Sequence, residues 1–501
     1  MAGPFGAATC LRSGWLGRRV SVPGREDTQP ANADPPQATT LWTMRYQDLA
    51  LTDNAAARTN DTPTTPPILS IWSAVVLGAV LLTLTLFRLG LPATALATVC
   101  LAVVLGGVAT APLRYGPSIA VLGYALVPVN YLVVPGFEQL ASPLVAGLAL
   151  WSARVLQKTH RPTAPRWMVT LIAVLGFWLT LLTLTQSVDP VLSMKWCLAL
   201  GMGVLLPALV VRAVPEAAVL LTRTLLLIAS MLGVFGILEA ALRENPALAL
   251  PYRDFGLTQT WAVYRITTTL GHPLSNSLFF VTVASLGFGL ALTHRDRFAL
   301  VASVLAAVAA TLTGSFSSAV VAAVAGVLIL LASAVNRSAK PGRIVIFALC
   351  LAGGVVLSVK TPFSPVADRH ASAEAQGSTA YRSGLVTRVR VAALHTHYIG
   401  SGPGTTGRVT RALVGNPLPI ENGWAELLIS TGAVGVGLMA LLFAGTGLHA
   451  LRWGQVGPLG ALAAYALAAG AFNWFEGDKS GLGLIGVLLI LCWGPRPAPR
   501  T

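Results

Sequence analysis

Charge is what this sequence has least of. Only 11% of its 501 residues are Asp, Glu, Lys or Arg, while 54% are hydrophobic. A soluble chain carries about 25% charged residues, so an ordinary water-exposed globular fold is excluded. Cysteine is also sparse. Cys10, Cys100, Cys197, Cys350 and Cys492 are scattered, four of them inside apolar runs, with no CxxC pair. The seven histidines form no HExxH-type arrangement. Neither pattern has metal-ligand spacing, so no metal and no cofactor are expected. The formal charge of +15 would point to nucleic acid in a soluble protein. In a polytopic protein it marks a surplus of Lys and Arg in cytoplasmic loops, and no nucleic-acid partner is expected.

What is abundant is the long apolar run. Runs of about 18–24 residues each suffice to cross a hydrocarbon core of about 30 Å. The expected spans are 68–87, 91–112, 117–135, 139–156, 167–186, 190–211, 216–241, 273–293, 298–314, 317–335, 343–360, 422–445, 457–474 and 481–494. That is an all-α polytopic membrane protein of about 12–14 transmembrane helices, with membrane lipids as its solvent. Residues 1–66 are polar and rich in Pro, Ala, Thr and Asp, without a run of membrane length. They read as a disordered cytoplasmic tail before a membrane domain over 67–496, and Met44 is an alternative start.

Basic clusters give the orientation. The segments 154–166, 294–297 and 336–343, with Arg212, Arg452 and the terminal "RPAPR", fall on one side of this count. By the positive-inside rule that side is the cytoplasm, with both termini inside and the chain in the cytoplasmic membrane. Two long loops, 242–272 and 360–421, then face outward. The second is the longest between helices and precedes the third-last span; loops of that length in a compact architecture tend to be functional.

The outward loop 360–421 breaks the charge rule, carrying Lys360, Arg369, Arg382, Arg388, Arg390, Arg408 and Arg411 against Asp368, Glu374 and Glu421. Such a basic excess implies an anionic partner, and the planar fork of arginine suits phosphate. A solvated basic segment is the alternative. Arg382 and Arg388 share a face if the segment is helical. The "GSGPGTTG" that follows, with Gly400, Gly402 and Gly404, would let backbone approach a ligand closely. It is no Walker loop, since no Lys-Ser/Thr follows. His397 lies between the two. In the other loop, Arg265 and His272 place cationic or proton-carrying groups at the outer face, while Ser275 and Asn276 read as helix caps or as site residues.

The stretch "PIENGWAELLISTGAVGVGLMALLF" (419–443) puts Glu421, Asn422 and Glu426 at the mouth of a span. Glu421 is either a charge favoured by the helix terminus or a group with work to do. Asn422 and Glu426, at i and i+4, lie on one face. Glu426, nearly a turn inside, requires a partner, and an arginine from the large loop would serve. Gly432 and Gly435 would permit close helix packing.

In their order these residues resemble the O-antigen ligase/polymerase superfamily of membrane proteins, over roughly a third of the chain, 260–445. The pieces are Arg265 with Gly271-His272-Pro273; Thr313-Gly314-Ser315 at an outer hairpin; the arginine-bearing loop; "IGSGPG" at 399–404; and an Asn-led span with glycine ten residues on (Asn422, Gly432, Gly435). Two positions depart. Many ligases have His before that Asn, proposed as the catalytic base, where this chain has Glu421; and Ser315 is followed by Phe316, where Ser-Arg is common.

The resemblance implies a GT-C-like fold and a glycosyltransferase acting at the outer face of the cytoplasmic membrane. Its donor would be an undecaprenyl-diphosphate-linked glycan and its acceptor a glycan or lipid. Arg265, Arg382 and Arg388 would then hold the diphosphate with Arg390 in reserve, and Glu421 would be the base, with His397 and His272 as rivals. A transporter or flippase for lipid-linked sugars is the non-enzyme alternative, and Lys195, Arg223 and Glu239 within the spans speak for it. A non-catalytic envelope scaffold is a third.

Overall fold

The computed structural model describes residues 93–126, 142–245, 263–360, 372, 376–377, 381–414, 420–477 and 479–495. The expected tail 1–66, the first expected span 68–87 and the start of the large loop lie outside the described residues. Among the described residues every regular element is helical. They are α1 Ala93–Thr110, α2 Gly116–Leu126, α3 Pro143–Thr159, α4 Arg166–Thr185, α5 Pro190–Leu209, α6 Pro215–Leu242, α7 Pro273–His294, α8 Arg297–Leu312, α9 Phe316–Val335 and α10 Pro341–Lys360. The large loop contributes α11 Leu385–His395 and α12 Thr406–Val414, and the chain closes with α13 Gly423–Arg452, α14 Val456–Ala469 and α15 Lys479–Cys492.

Six of these, α4, α5, α6, α7, α9 and α13, are long and apolar enough to cross a membrane. Five further apolar stretches run only 10–17 residues. The expectation of about 12–14 spans therefore exceeds what helix length and composition carry among the described residues. Large side chains such as Phe177 (70% exposed) and Leu184 (79%) point away from the protein. Water would oppose such an apolar exterior, whereas lipid accepts it. The chain is membrane-embedded.

Most helix starts explain themselves. Asp189, Asp296 and Asn422 cap α5, α8 and α13, accepting the N–H of Leu192 (3.1 Å), Ala299 (3.1 Å) and Ala425 (3.0 Å). These side chains satisfy donors that a first turn leaves without partners. Pro190, Pro215 and Pro273 stand at first-turn positions, where a missing N–H costs nothing. Within α5, a π-turn at Gly201–Leu205 precedes Pro207. It relieves the clash proline makes with the carbonyl of residue i−4.

α7 is the most enclosed of the six, packed by α6, α8, α9 and α14. Gly289 of α7 faces Gly457 at the start of α14, and a Cβ there would lie 2.5 Å from the Gly457 Cα. Small residues let backbones close up where lipid supplies no hydrophobic drive between helices.

α13 is broken. Gly432 has φ 71° and ψ −178°, inside a helix otherwise continuous from Gly423 to Arg452. The segment 398–402 of the large loop fills the break. Ser401 N–H donates to Ile429 C=O (3.0 Å), Gly402 N–H to Ser430 C=O (3.0 Å), and Ala433 N–H to Tyr398 C=O (2.9 Å). Trp178 Nε1 of α4 donates to Thr431 C=O at 2.9 Å. The carbonyls of residues 429–431 and the N–H of Ala433 are thereby paired, as membrane burial demands of a broken helix. Gly432 and Gly435 had suggested helix–helix packing. Gly432 instead admits a loop, and Gly435 makes room for Thr431 of its own helix.

A Cβ at Gly432 would overlap the Ile399 carbonyl, in a backbone conformation L residues avoid. Gly432→Ala is expected to destabilise the fold by about 1–3 kcal/mol, while Gly437→Ala, facing open space, leaves it unchanged. Thermal unfolding of the two variants in one detergent checks this; matching melting temperatures would contradict it.

Candidate functional site

The starts of α5, α7 and α13, the ends of α6 and α8, and the loop after α14 meet at one end of the bundle. Here Glu421 precedes its helix, and Arg382 reaches it with both Nε (3.0 Å) and Nη2 (2.7 Å) on Oε2. Among the described residues no donor reaches Glu421 Oε1. The Arg382 side chain is 40% exposed and that of Glu421 27%. Arg388, in the first turn of α11, lies over the Tyr381 ring with its guanidinium carbon 4.7 Å from the ring centroid. The expected single helical face carrying Arg382 and Arg388 is interrupted at Gly384, where α11 begins. Tyr381, which the sequence did not single out, orients Arg388. Burial raises its phenol above the ordinary value; the Arg388 hydrogen bond and charge oppose this, and the Glu421 charge adds to it.

Arg265 is held differently. Its Nε donates to the Thr313 carbonyl at the end of α8 (2.7 Å), and the residue is only 4% exposed. Of the three arginines assigned to a phosphate clamp, Arg382 is exposed and Arg388 is half-buried against Tyr381, whereas Arg265 is buried. Glu239, buried near the end of α6, fixes the backbone around it. Its carboxylate accepts from Thr267 N (2.8 Å), Thr267 Oγ1 (2.9 Å), Thr268 N (2.8 Å) and Tyr264 Oη (3.1 Å). An acid at membrane depth had counted toward a transporter. Four hydrogen bonds to one loop give it a positioning task.

His272, not Ser275 or Asn276, caps α7: its Nδ1 accepts the Leu274 N–H at 3.2 Å. Asn276 instead donates to the carbonyls of Thr267 and His272, tying the helix to the Arg265 loop. Although the His272 side chain is exposed, desolvation by the surrounding loop and the nearby Arg265 lower its imidazole to about 4, with Glu421 acting in the opposite sense. The ring is therefore neutral at pH 7. With Nδ1 occupied as an acceptor, the proton sits on Nε2. A ring in that state holds its acceptor nitrogen in the helix cap and carries its N–H on Nε2. His272→Asn is expected to keep the melting temperature, because Asn caps as well. His272→Leu should lower stability by about 1 kcal/mol, read by thermal unfolding.

The remaining assigned residues separate from this cluster. Arg390 is exposed on the far side of the first α11 turn. His397 is exposed beyond the end of α11, about 13 Å of helical rise from Arg388. Gly400, Gly402 and Gly404 make the close approach expected of them, but to the protein itself. A Cβ at Gly400 (φ 111°) would lie 2.6 Å from the Ser430 carbonyl, and those at Gly402 and Gly404 would strike Ser187 and Trp196. They dock the loop against the protein. Arg408, counted with the basic excess, pairs with Asp189 at 3.4 Å.

Glu426 finds no arginine among the described residues. It is 4% exposed, and its Oε2 accepts the backbone N–H of Glu476 at 3.3 Å. Glu476, in the loop after α14, receives Thr406 N (3.0 Å), and its Oε1 lies 2.9 Å from Thr406 Oγ1. That hydroxyl also lies 2.9 Å from the Glu426 carbonyl, which can only accept. A single hydroxyl proton serves both contacts if Glu476 carries a proton and donates it to Thr406. Burial pushes the Glu476 carboxyl up to about 7, its hydrogen bonds opposing. A Glu lone in sequence, fifty residues from its partner, offered no signal of this.

Because this folded value exceeds the unfolded one of about 4.3, the folded chain holds a proton the unfolded chain has released between those pH values. Stability should therefore fall as pH rises through that window. Melting temperature measured from pH 5 to 8 is expected to decline, and Glu476→Gln to flatten that decline. An unchanged slope in the variant would contradict a protonated Glu476.

A comparison with protein-family models finds no match for this chain, and a comparison with curated proteins finds none either.

Proposed function

We propose that the chain is a surface-polysaccharide glycosyltransferase of the O-antigen polymerase/ligase kind. It transfers or polymerises undecaprenyl-diphosphate-linked glycan at the outer face of the cytoplasmic membrane, with a GT-C-like fold and both termini in the cytoplasm. The observation that carries this reading is Glu421, gripped by Arg382 through one oxygen, with Arg388 and Arg265 close enough for their charges to act, with that of Glu421, on Tyr381 and His272. Three guanidiniums against one carboxylate leave two positive charges. A diphosphate diester carries two negative ones.

The chemistry follows from those groups. An acceptor hydroxyl attacks the anomeric carbon of the donor while the bond from that carbon to the diphosphate oxygen breaks. Arg382 and Arg388 meet the charge that develops on the departing lipid diphosphate. Glu421 takes the hydroxyl proton on Oε1, and an incoming diphosphate draws Arg382 from Oε2, strengthening the base as the donor binds. A flippase is the second reading, favoured by the broken α13, since transporters use interrupted helices. The break is filled by the chain's own loop, which ranks that reading lower.

The test is reconstitution of the purified chain in vesicles with undecaprenyl-diphosphate-linked repeat units, reading new glycosidic bonds by chain length. Glu421→Gln and Arg382→Ala are each expected to reduce the rate by about 100-fold or more, with Arg382→Lys also impaired because the fork is lost. In a deletion strain, single repeats on the carrier would mark a polymerase and long carrier-bound polymer a ligase. Unchanged glycan pools, or transbilayer movement without bond formation, would overturn the proposal.

A further inference from the structure

α11 has two apolar sides, and only one of them is covered. Its inner side, Leu385, Val389 and Ala392, packs with Ile420, Ala425 and Ile429 at the entry of α13. Its outer side carries Val391 and Leu394, and the turn after it adds Tyr398 and Ile399; these four are 41–51% exposed. They belong to the long loop and to none of the six long apolar helices. Water would oppose a flank of this kind.

Two helices give the level of that flank. Val188, two residues before α5, donates its N–H to the Ser401 carbonyl at 3.0 Å. α5 runs 20 residues from Pro190 to Leu209, about 30 Å of rise, or one hydrocarbon core. The turn at 398–402 therefore stands at one edge of that core. α13 agrees. From the break at Gly432, where Ala433 N–H meets the Tyr398 carbonyl, it continues to Arg452, again about 30 Å of rise. Just past the break Ala433 and Val434 are exposed, so the outward face of the spanning helix passes onto Tyr398 and Ile399.

Cations stand just beyond these apolar residues. Arg390 is exposed one turn farther from the core edge than Leu394. The Arg408 side chain, 62% exposed, lies at Asp189, where α5 begins. Apolar side chains at the edge of the core, with arginines next to them on the polar side, follow the layering of a leaflet with anionic headgroups.

We propose that the outer flank of α11 and the turn after it are seated in the lipid leaflet on the loop side. Leu394, Tyr398 and Ile399 lie among the upper acyl chains, and Arg390 and Arg408 meet the phosphates of anionic phospholipids. The long loop is then in part a membrane-surface element, whatever chemistry its other end performs.

The test uses the full chain with a photoreactive benzophenone side chain placed at Leu394 or at Ile399, and at Val434 for reference. Each is reconstituted in vesicles of equal phosphatidylethanolamine and phosphatidylglycerol, irradiated, and read by intact-protein mass spectrometry. Lipid adducts at both loop positions are expected to match those at Val434. At Leu394 phosphatidylglycerol is expected to exceed phosphatidylethanolamine by about fivefold, the worth of one basic side chain near an anionic surface. Arg390→Gln combined with Arg408→Gln should bring that ratio near one. Absence of lipid adducts at both loop positions overturns the proposal, as does cross-linking to a second copy of the chain in their place. Equal labelling by the two lipids, or an excess that survives the double variant, overturns the headgroup assignment. Should the double variant fail to fold, salt at about 1 M, which shortens the electrostatic range to about 3 Å, decides on the unsubstituted arginines: the excess is expected to vanish, and its persistence overturns that assignment.

Discussion

Everything at the loop end of this bundle hangs on one join, where segment 398–402 enters the break in α13 at Gly432. The join pairs backbone groups that neither lipid nor the broken helix could satisfy. It also sets the end of α11 and the start of α12 against the first half of α13. Arg382, Arg388 and Thr406 belong to the loop, Glu421 and Glu426 to the helix entry. Their meeting follows from backbone hydrogen bonds rather than from attraction between side chains. Ion pairs as exposed as Arg382–Glu421 are weak organisers.

Carboxylates are the other constraint. Glu239, Glu426 and Glu476 all sit where water is scarce, and the chain answers each with backbone N–H groups, hydroxyls or a proton rather than with arginine. A buried ion pair needs two desolvated charges, whereas a carboxylate against backbone donors needs one. That economy leaves the arginines unspent at the surface. Two of them, Arg408 and Arg382, are neutralised by Asp189 and Glu421, while Arg388 is steadied by an aromatic ring and keeps its charge.

Much of the architecture was legible in the sequence, because hydrophobic length is a local property and bilayer thickness turns it into helices. The expected spans at 167–186, 216–241, 273–293 and 317–335 lie within a residue or so of α4, α6, α7 and α9. The shorter apolar stretches were harder to weigh, since a run of 14 to 16 residues reads as a span or as a helix buried in protein. Of the site, Arg382, Arg388, Glu421, Arg265 and His272 were visible as charges in the wrong place for an outward loop. Their grouping around Glu421 was not, because the partners stand far apart in the chain.

By itself the sequence determined that this is a helical membrane protein with a cationic, glycine-punctuated loop before an Asn-led helix. Composition, run length and capping chemistry act over a few residues and need no fold to be read. Only the tertiary structure decided that the glycines serve a helix break, that His272 caps α7, and that Glu426 faces Glu476. Each of these depends on which backbone group lies within 3 Å or so of which side chain. Such proximity between distant segments is created by packing and has no local trace.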